Sequence, residues 1–450
     1  MGRRILVVGG NAAGLSAAAR AKREDPRAEV VVLEATETPA VSNCNFSYVL
    51  SGRVKKLSRV QVHPPEYFTE RGIELRTGVT VTEIDPVRRR VGTESGGGAG
   101  EEAYDRLVYC AGSRARKIEV PRRTGGGVTA LHSYADMEKL VGGLEGKSGV
   151  AVIGGGFSGM SVAAALAEKR SVALIFGEDA PVPGLAEELL EVVKTHLEGR
   201  GVRLLPDNRV RGYLRDGAGK LTSVETDGET VACEYAVELV GVIPNVEPLG
   251  GRLELDAASG AVKVDGRQCT SEDGVFAAGD CATVRHALLP GHRYVPNGAL
   301  ANRCGRTAGC NAAGGFSKST ATLGTRATEL YGLELAQTGL SLVEAKGAGY
   351  DAVETVVQAP LHAAFHLPRA LLTCSAVAER GTGRILGVRL TGPYGANLRI
   401  NAAATVIAAG MDAETACGLD YAYHPHSSPV WDPLLVLFRR TAKALGGREE

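Results

Sequence analysis

Apolar positions in this chain fall in short unbroken runs separated by glycine-rich turns. Residues 4–9, RILVVG, are too uniformly apolar for a half-exposed strand and predict one buried on both faces. The turn GGNAAG follows and opens an alanine-rich helix, after which AEVVVLEA predicts a second buried strand ending at Glu34. The same order returns from residue 149, where GVAVIGGGFSGMSVAAALAEKRSVALIF again reads as strand, glycine turn, helix and strand. YDRLVYCAGS (104–113) predicts a strand ending at a crossover between domains. GVFAAGDCA (274–282) predicts a short strand, and VPNGALANRCGRTAG a helix. From about 327 the pattern changes: YDAVETVVQ, ALLTCSAVAE and ILGVRLTG are strand-like and precede a helix at about 396–410, a separate α+β unit.

The repeated unit carries candidate chemistry. Glycine in such a turn lets the backbone approach a pyrophosphate. The helix N-terminus behind it offers free N–H groups, and an acid at the end of the second strand accepts from a ribose hydroxyl. In the first unit Gly9 and Gly14 hold the outer positions of GxGxxG with Asn11 in the middle, and Glu34 stands twenty residues beyond Gly14. In the second, Gly154, Gly156 and Gly159 are complete, but Phe176 occupies the place of the acid and GEDAP, not an arginine, follows. Two such units predict two nucleotides side by side, the second a nicotinamide dinucleotide whose form, NADH or NADPH, is left open.

Composition narrows the class. A length of 450 residues suits two or three domains, and 51 basic against 51 acidic residues gives no general attraction to nucleic acid or membrane surfaces. No run of eighteen apolar residues occurs, so no membrane span is expected, and MGRRILVVGG reads as a strand rather than a signal peptide. The nine cysteines form no CxxC pair, so neither a metal site nor a disulfide framework is expected. The expectation is a cytoplasmic protein with mostly reduced thiols. Cys110 and Cys281 read as small packing residues, and Cys304 and Cys310, six apart on a helix, fall on different faces. Cys44 is different: AVSNCNFSYVLSG (40–52) sets it in a polar turn before an apolar run, and a helix turn later, where a second thiol would be wanted, stands Val49.

The two nucleotide motifs, the CAGS crossover, the AAGD segment and the terminal α+β unit together resemble the FAD-dependent pyridine nucleotide-disulfide oxidoreductases over essentially the whole chain. The resemblance is to the single-cysteine branch: coenzyme A-disulfide reductases, persulfide and polysulfide reductases, and NADH oxidases or peroxidases. VVGGNAAGLSAAARAKR, NCNFSYVLSG and LDYAYHPHSSPVWDP are most similar to the coenzyme A-linked members. The implied fold class is α/β, two Rossmann-like dinucleotide-binding domains plus a C-terminal α+β dimerisation domain. The implied domains are 1–115 with 246–325 for FAD, 116–245 for NAD(P)H and 326–450 for the subunit interface.

The resemblance assigns Gly9, Gly14, Glu34 and Asp280 to FAD, and Gly154, Gly156, Phe157 and Gly159 to NAD(P)H, with Phe157 an aromatic cover over the flavin. The two-cysteine reductases carry CxxxxC, and Val49 removes that local partner, so Cys44 would work through a mixed disulfide with coenzyme A or through a sulfenic acid. Arg20, Lys22 and Arg23, with Ser16, resemble a basic cluster for coenzyme A phosphates, and Asn43 and Asn302 resemble substrate contacts. The NAAG turn has no histidine of the peroxidase kind. Tyr423 resembles a tyrosine that reaches the partner subunit's active site, which implies a homodimer. Ala40 and Val41 replace the serine and phenylalanine that usually precede the cysteine. Phe365 or His366 replaces a tyrosine, while His424 and His426 stand where two-cysteine members carry an acid-base histidine. The implied function is NAD(P)H-dependent reduction of coenzyme A disulfide, persulfide or polysulfide. The alternatives are an NADH oxidase and a flavin electron-transfer reductase for a protein partner.

Overall fold

The computed structural model describes residues 2–177, 182, 184–363 and 365–446. Strand β1 (Arg4–Val8), helix α1 (Ala12–Glu24) and strand β2 (Glu29–Leu33) form the first unit, with β1 and β2 parallel. A short helix, α2 (Phe46–Ser51), follows; then β3 (Ile73–Arg76) pairs with β2 and β4 (Arg106–Tyr109) with β1. The chain next builds a second sheet from β5 (Val128–Ala130), β6 (Gly149–Ile153), β7 (Ser171–Ile175), β8 (Val202–Leu205) and β9 (Tyr235–Glu238), with helix α3 (Phe157–Leu166) between β6 and β7. Its order is β8-β7-β6-β9-β5, all parallel. The chain then returns: β10 (Val275–Ala277) completes the first sheet as β10-β4-β1-β2-β3, and α4 (Gly298–Ala312) packs on it. The outward and return passes run side by side, Ser113–Ala115 pairing antiparallel with Val242–Pro244.

Both parallel sheets are covered on both faces, which is why their strands read as continuous apolar runs. Along β1 the two-residue period sends Ile5 and Val7 to the face covered by α1 and α4, while Leu6 and Val8 join Tyr109, Val81 and Val91 on the other. The third region is an antiparallel sheet, β11 (Arg326–Glu329), β12 (Glu334–Gly339), β13 (Ala352–Pro360), β14 (Leu371–Glu379) and β15 (Ile385–Gly392), ordered β11-β12-β15-β14-β13. Helices α5 (Ala396–Ala408) and α6 (Pro433–Ala444) contribute Ile400, Ala403, Val406, Ile407, Leu434, Leu437 and Phe438 to its core. No described helix is long and apolar enough to cross a membrane.

Helices α1 and α4 touch backbone to backbone. Gly305 and Gly309 lie on the carbonyls of Ala13 and Ala17, and a methyl group at either glycine would collide with that oxygen. The contact aligns the N-termini of both helices at one cleft, since Ala12, Ala13, Gly298 and Ala299 all line it. Gly305→Ala is expected to destabilise the protein by about 1–3 kcal/mol through overpacking. Chemical denaturation checks this, with flavin retention on gel filtration as a second readout.

Candidate functional site

A continuous cleft of about 2260 Å³ runs between the two parallel sheets and reaches β11. Single small-ligand sites are commonly about 300–1,000 Å³, so the space accommodates more than one extended ligand. Three helix N-termini open onto it: α1 behind Gly9–Asn11, α3 behind Gly154–Gly156, and α4 behind its N-cap Asn297, whose side chain accepts from the Leu300 amide at 3.0 Å. Each supplies unpaired N–H groups and a partial positive charge.

The glycine turns have the shape that phosphates require. Gly9 (φ 99°) and Gly154 (φ 120°) are left-handed, and a side chain on either would strike the carbonyl of Cys110 or Leu239. Gly14 and Gly159 sit on the carbonyls of Gly9 and Gly154, so each turn closes only around a bare α-carbon. Gly156 faces open space, where a side chain would enter the cleft. Asn11 caps nothing with its side chain, and the first turn keeps its geometry without the middle glycine.

At the end of β2 the Glu34 carboxylate accepts from the Gly10 amide at 2.6 Å and from the Thr36 amide and hydroxyl at 2.8 and 2.6 Å. It is thus fixed beside the first glycine turn. Across the cleft Asp280 accepts from the Asn297 amide at 3.2 Å and, through a long contact of 3.5 Å, from Ser113. Burial raises its carboxyl above the usual range, opposed by the Asn297 amide, His132 and Ser113. The second unit has no counterpart of Glu34: Phe176 is buried in the core and Gly177 follows it into the cleft wall. The GEDAP segment continues onto 178–181, outside the described residues. Phe157, the first residue of α3, lines the cleft half-buried.

Cys44 lies in a single 3-10 turn (Asn43–Asn45) that runs into α2. It is the one exposed cysteine, and all nine are free thiols. Phe46 and Leu50 sink into the core beside α3, and Val49 packs against the same cluster, so the thiol-bearing turn is pinned from below. Its other end is tied to the first glycine turn, where the Ala40 amide donates to the Gly10 carbonyl at 2.9 Å with Ala40 itself left-handed (φ 58°). At the far end of α2, Arg53 pairs with Glu329 of β11 at 2.9 Å and stacks 4.4 Å from the Tyr331 ring. Asn43 donates to the His132 carbonyl at 2.8 Å, but its own side-chain oxygen is buried with no partner. An orphaned buried acceptor costs about 1–3 kcal/mol. Burial disfavours the thiolate at several other cysteines: it pushes Cys233 and Cys281 each up to about 12, and Cys110 well above its ordinary value. Cys304 and Cys310 do face different ways, towards Ser319 and towards Arg20 with Glu24.

The basic face of α1 divides. Ser16 donates to Asn302 at 2.6 Å, and both line the cleft together with Arg23 and with Arg306 of α4. Arg20 instead pairs with Glu24 at 2.5 Å and contacts the Cys310 sulfur, and Lys22 donates to the Ala28 carbonyl at 2.8 Å; neither lines the cleft. The helical period sets Lys22 on another face from Ser16, Ala19 and Arg23, whereas Arg20, on their side of the helix, is held away from the cleft by Glu24 and by Cys310 of α4. Arg306 and His132 were missed by sequence reasoning. Arg306 had a signal, since it stands one helical turn beyond Asn302.

Tyr423 is exposed in the segment before α6 and does not line this chain's own cleft. The same surface carries Phe365 (99% exposed), Val430 and Trp431, and His426 stands 5.0 Å from His366 and 5.9 Å from His424 between ring centres. So much exposed apolar area on one region marks an interaction surface.

Comparison with known proteins agrees with this architecture. The family described as pyridine nucleotide-disulphide oxidoreductase matches residues 3–300, and its dimerisation domain matches 328–433. An NAD(P)H coenzyme A polysulfide/persulfide reductase from Pyrococcus horikoshii is 30% identical over 98% of both chains. An NADH oxidase from Enterococcus faecalis is 26% identical over 96% of this chain and 98% of its own. The structure of an NAD-dependent persulfide reductase from A. fulgidus superposes with a TM-score of 0.94 at 29% identity, over 98% of this chain and 84% of that one. A match over both parallel-sheet units and the terminal domain leaves one conclusion: the chain belongs to the pyridine nucleotide-disulphide oxidoreductase family, homodimeric oxidoreductases that work with FAD and NAD(P)H.

Proposed function

We propose that this protein is an NAD(P)H-dependent flavoprotein that reduces coenzyme A disulfide, or a coenzyme A persulfide or polysulfide, through a mixed disulfide on Cys44. One observation carries the reading: the single exposed thiol of the chain stands in the cleft with a valine, Val49, where a resolving cysteine would be needed. Its disulfide partner must then come from the substrate. The Cys44 thiolate attacks one sulfur of the substrate disulfide, a Cys44–sulfur bond forms, the substrate S–S bond breaks, and the departing thiolate takes up a proton. FAD, when bound, supplies the two electrons, received as hydride from NAD(P)H, that cleave the mixed disulfide and release the second thiol.

The chain's own groups divide the remaining work. Gly9, Gly14 and Glu34 hold the ADP half of FAD, Asp280 its ribityl chain, and Gly154, Gly156 and Gly159 the nicotinamide dinucleotide, with Phe157 over the flavin face. Arg23 and Arg306 receive the coenzyme A phosphates, for which forked guanidinium donors are suited, with the hydrogen-bonded Ser16 and Asn302 in the same cleft and Asn43 against the reacting sulfur. Arg20 and Lys22 are already engaged elsewhere and have at most an indirect part. Replacing Arg23 and Arg306 together by Gln is expected to raise KM for coenzyme A disulfide by roughly 10- to 100-fold. Turnover of a small uncharged disulfide should be little changed, and steady-state kinetics on both substrates separates the two.

Tyr423 of the partner subunit completes the site, where its phenol protonates the leaving thiolate. Its exposure away from its own cleft, on the apolar surface of the dimerisation domain, supports that placement. Residues 1–115 and 246–325 form the FAD domain, 116–245 the NAD(P)H domain and 326–450 the interface domain, in a cytoplasmic enzyme. Intact mass of the denatured, unreduced protein tests the reading. A dithiothreitol-sensitive increment of one coenzyme A mapped to Cys44 supports it, whereas oxygen added at Cys44 would favour the second reading, an NADH oxidase cycling through a sulfenic acid, for which the Enterococcus faecalis relative speaks.

A further inference from the structure

Among the described residues, the edge of the cleft beside the second glycine turn carries an arginine, Arg209, with no ion-pair partner. Where β7 ends, the second strand of a dinucleotide unit ordinarily offers a carboxylate to the adenosine ribose, or an arginine close by to a 2′-phosphate. Phe176 is buried there and cannot serve either role, and Gly177 beside it carries no side chain. The loop after β8 fills the gap. It is stitched to β7 at two points, the Phe176 amide donating to the Leu205 carbonyl at 3.1 Å and the Asn208 amide to the Phe176 carbonyl at 3.0 Å. Asn208 is pinned in turn by Thr226, whose hydroxyl donates to its side chain at 2.7 Å.

This stitching brings Arg209 across Gly177. A β-carbon placed at Gly177 would lie 2.9 Å from Arg209 Cγ and 3.3 Å from its Nε, so the glycine is what lets the arginine cross. Arg209, Asn208, Gly177 and Phe176 all line the cleft. The neighbouring arginines are neutralised: Arg203 pairs with Glu229 at 2.6 Å, and Arg211 with Asp227. Among the described residues Arg209 has no carboxylate partner and no side-chain hydrogen bond. A guanidinium held over the end of β7, with its neighbours paired off and no acid at Phe176, is arranged for an anion.

We infer that the second nucleotide site takes the 2′-phosphorylated dinucleotide, NADPH, and that Arg209 is the residue that selects it by pairing with the 2′-phosphate. The inference rests on the nicotinamide dinucleotide site alone and not on the chemistry at Cys44.

The test is equilibrium binding to the purified FAD-loaded dimer, titrated calorimetrically with adenosine 2′,5′-bisphosphate and with AMP, which differ only in the 2′-phosphate. The bisphosphate should bind roughly 10- to 100-fold more tightly, the range expected for a charge-assisted pair. Arg209→Ala should erase that difference by weakening the bisphosphate and leaving AMP unchanged, and Arg209→Lys should restore part of it. Equal or tighter binding of AMP to the wild type would overturn the inference. So would an Arg209→Ala variant that loses both ligands alike, which marks a structural role. Flavin bleaching by NADPH and by NADH, followed before any sulfur substrate is added, should show the same ratio. An enzyme inert toward coenzyme A disulfide that still prefers the 2′-phosphate would sink the proposed substrate and leave Arg209 standing, and the converse result would do the reverse.

Discussion

Cys44→Ser should reduce disulfide turnover to background, a loss of roughly 10³-fold or more, while NAD(P)H still bleaches the flavin at close to the wild-type rate. The split follows from the architecture. The two nucleotide turns belong to the parallel-sheet units, and no other cysteine is available to substitute, since every other thiol is wholly or partly buried. A serine is isosteric enough to leave the Asn43–Asn45 turn intact, so the protein should fold and load flavin normally. Stopped-flow absorbance separates the two half-reactions. Unchanged disulfide turnover in the variant would exclude the mixed-disulfide mechanism. Retained reduction of an artificial electron acceptor fits the proposal, because that path needs only reduced flavin.

Asp432→Ala should cost about 3–5 kcal/mol, the range for removing one partner of a buried ion pair. Asp432 and Arg399 meet at 2.8 Å with side chains 6% and 13% exposed. The carboxylate also caps α6 through the Leu434 amide at 3.0 Å and accepts from Ser428 at 3.2 Å, while Arg399 reaches back to the Ser427 carbonyl at 3.1 Å. One carboxylate therefore ties the segment that precedes α6 to Arg399 of α5 and to the first turn of α6. Its loss leaves a largely buried guanidinium without its counter-charge and loosens the stretch that carries Tyr423. Denaturant unfolding measures the first effect, and faster proteolysis between 418 and 432 reports the second. Asp432→Asn should cost less than the alanine, because an amide oxygen keeps the helix cap while giving up the charge. A shift within about 0.5 kcal/mol for the alanine variant, the range of ordinary surface substitutions, would show that the pair carries no such weight.

Much of this protein was legible along the chain because its key features are local. A strand buried on both faces is an unbroken apolar run, and a left-handed turn against a carbonyl demands glycine, so β1, β6 and the turns at Gly9 and Gly154 announce themselves within a few residues. The replacement of a resolving cysteine by Val49 is likewise a fact of sequence spacing. Helix α5 ends at Ala408, slightly short of the expected 410, the ordinary fraying of a terminus.

What the sequence by itself determined, then, is the two nucleotide units, the terminal α+β region and the lone thiol. The tertiary structure decided which charges meet the cleft. Arg20 and Arg23 look alike in a one-dimensional basic run, but the close approach of α4 through Gly305 and Gly309 gives Arg20 a partner in Cys310, while Arg23 lines the cleft, as does Arg306 from another segment. Arg209 was invisible for the same reason: its target lies on a different strand, and only the hydrogen bonds between Phe176 and the loop after β8 bring the two together. Charge recognition depends on where side chains converge in space, and separation along the chain carries almost none of that information.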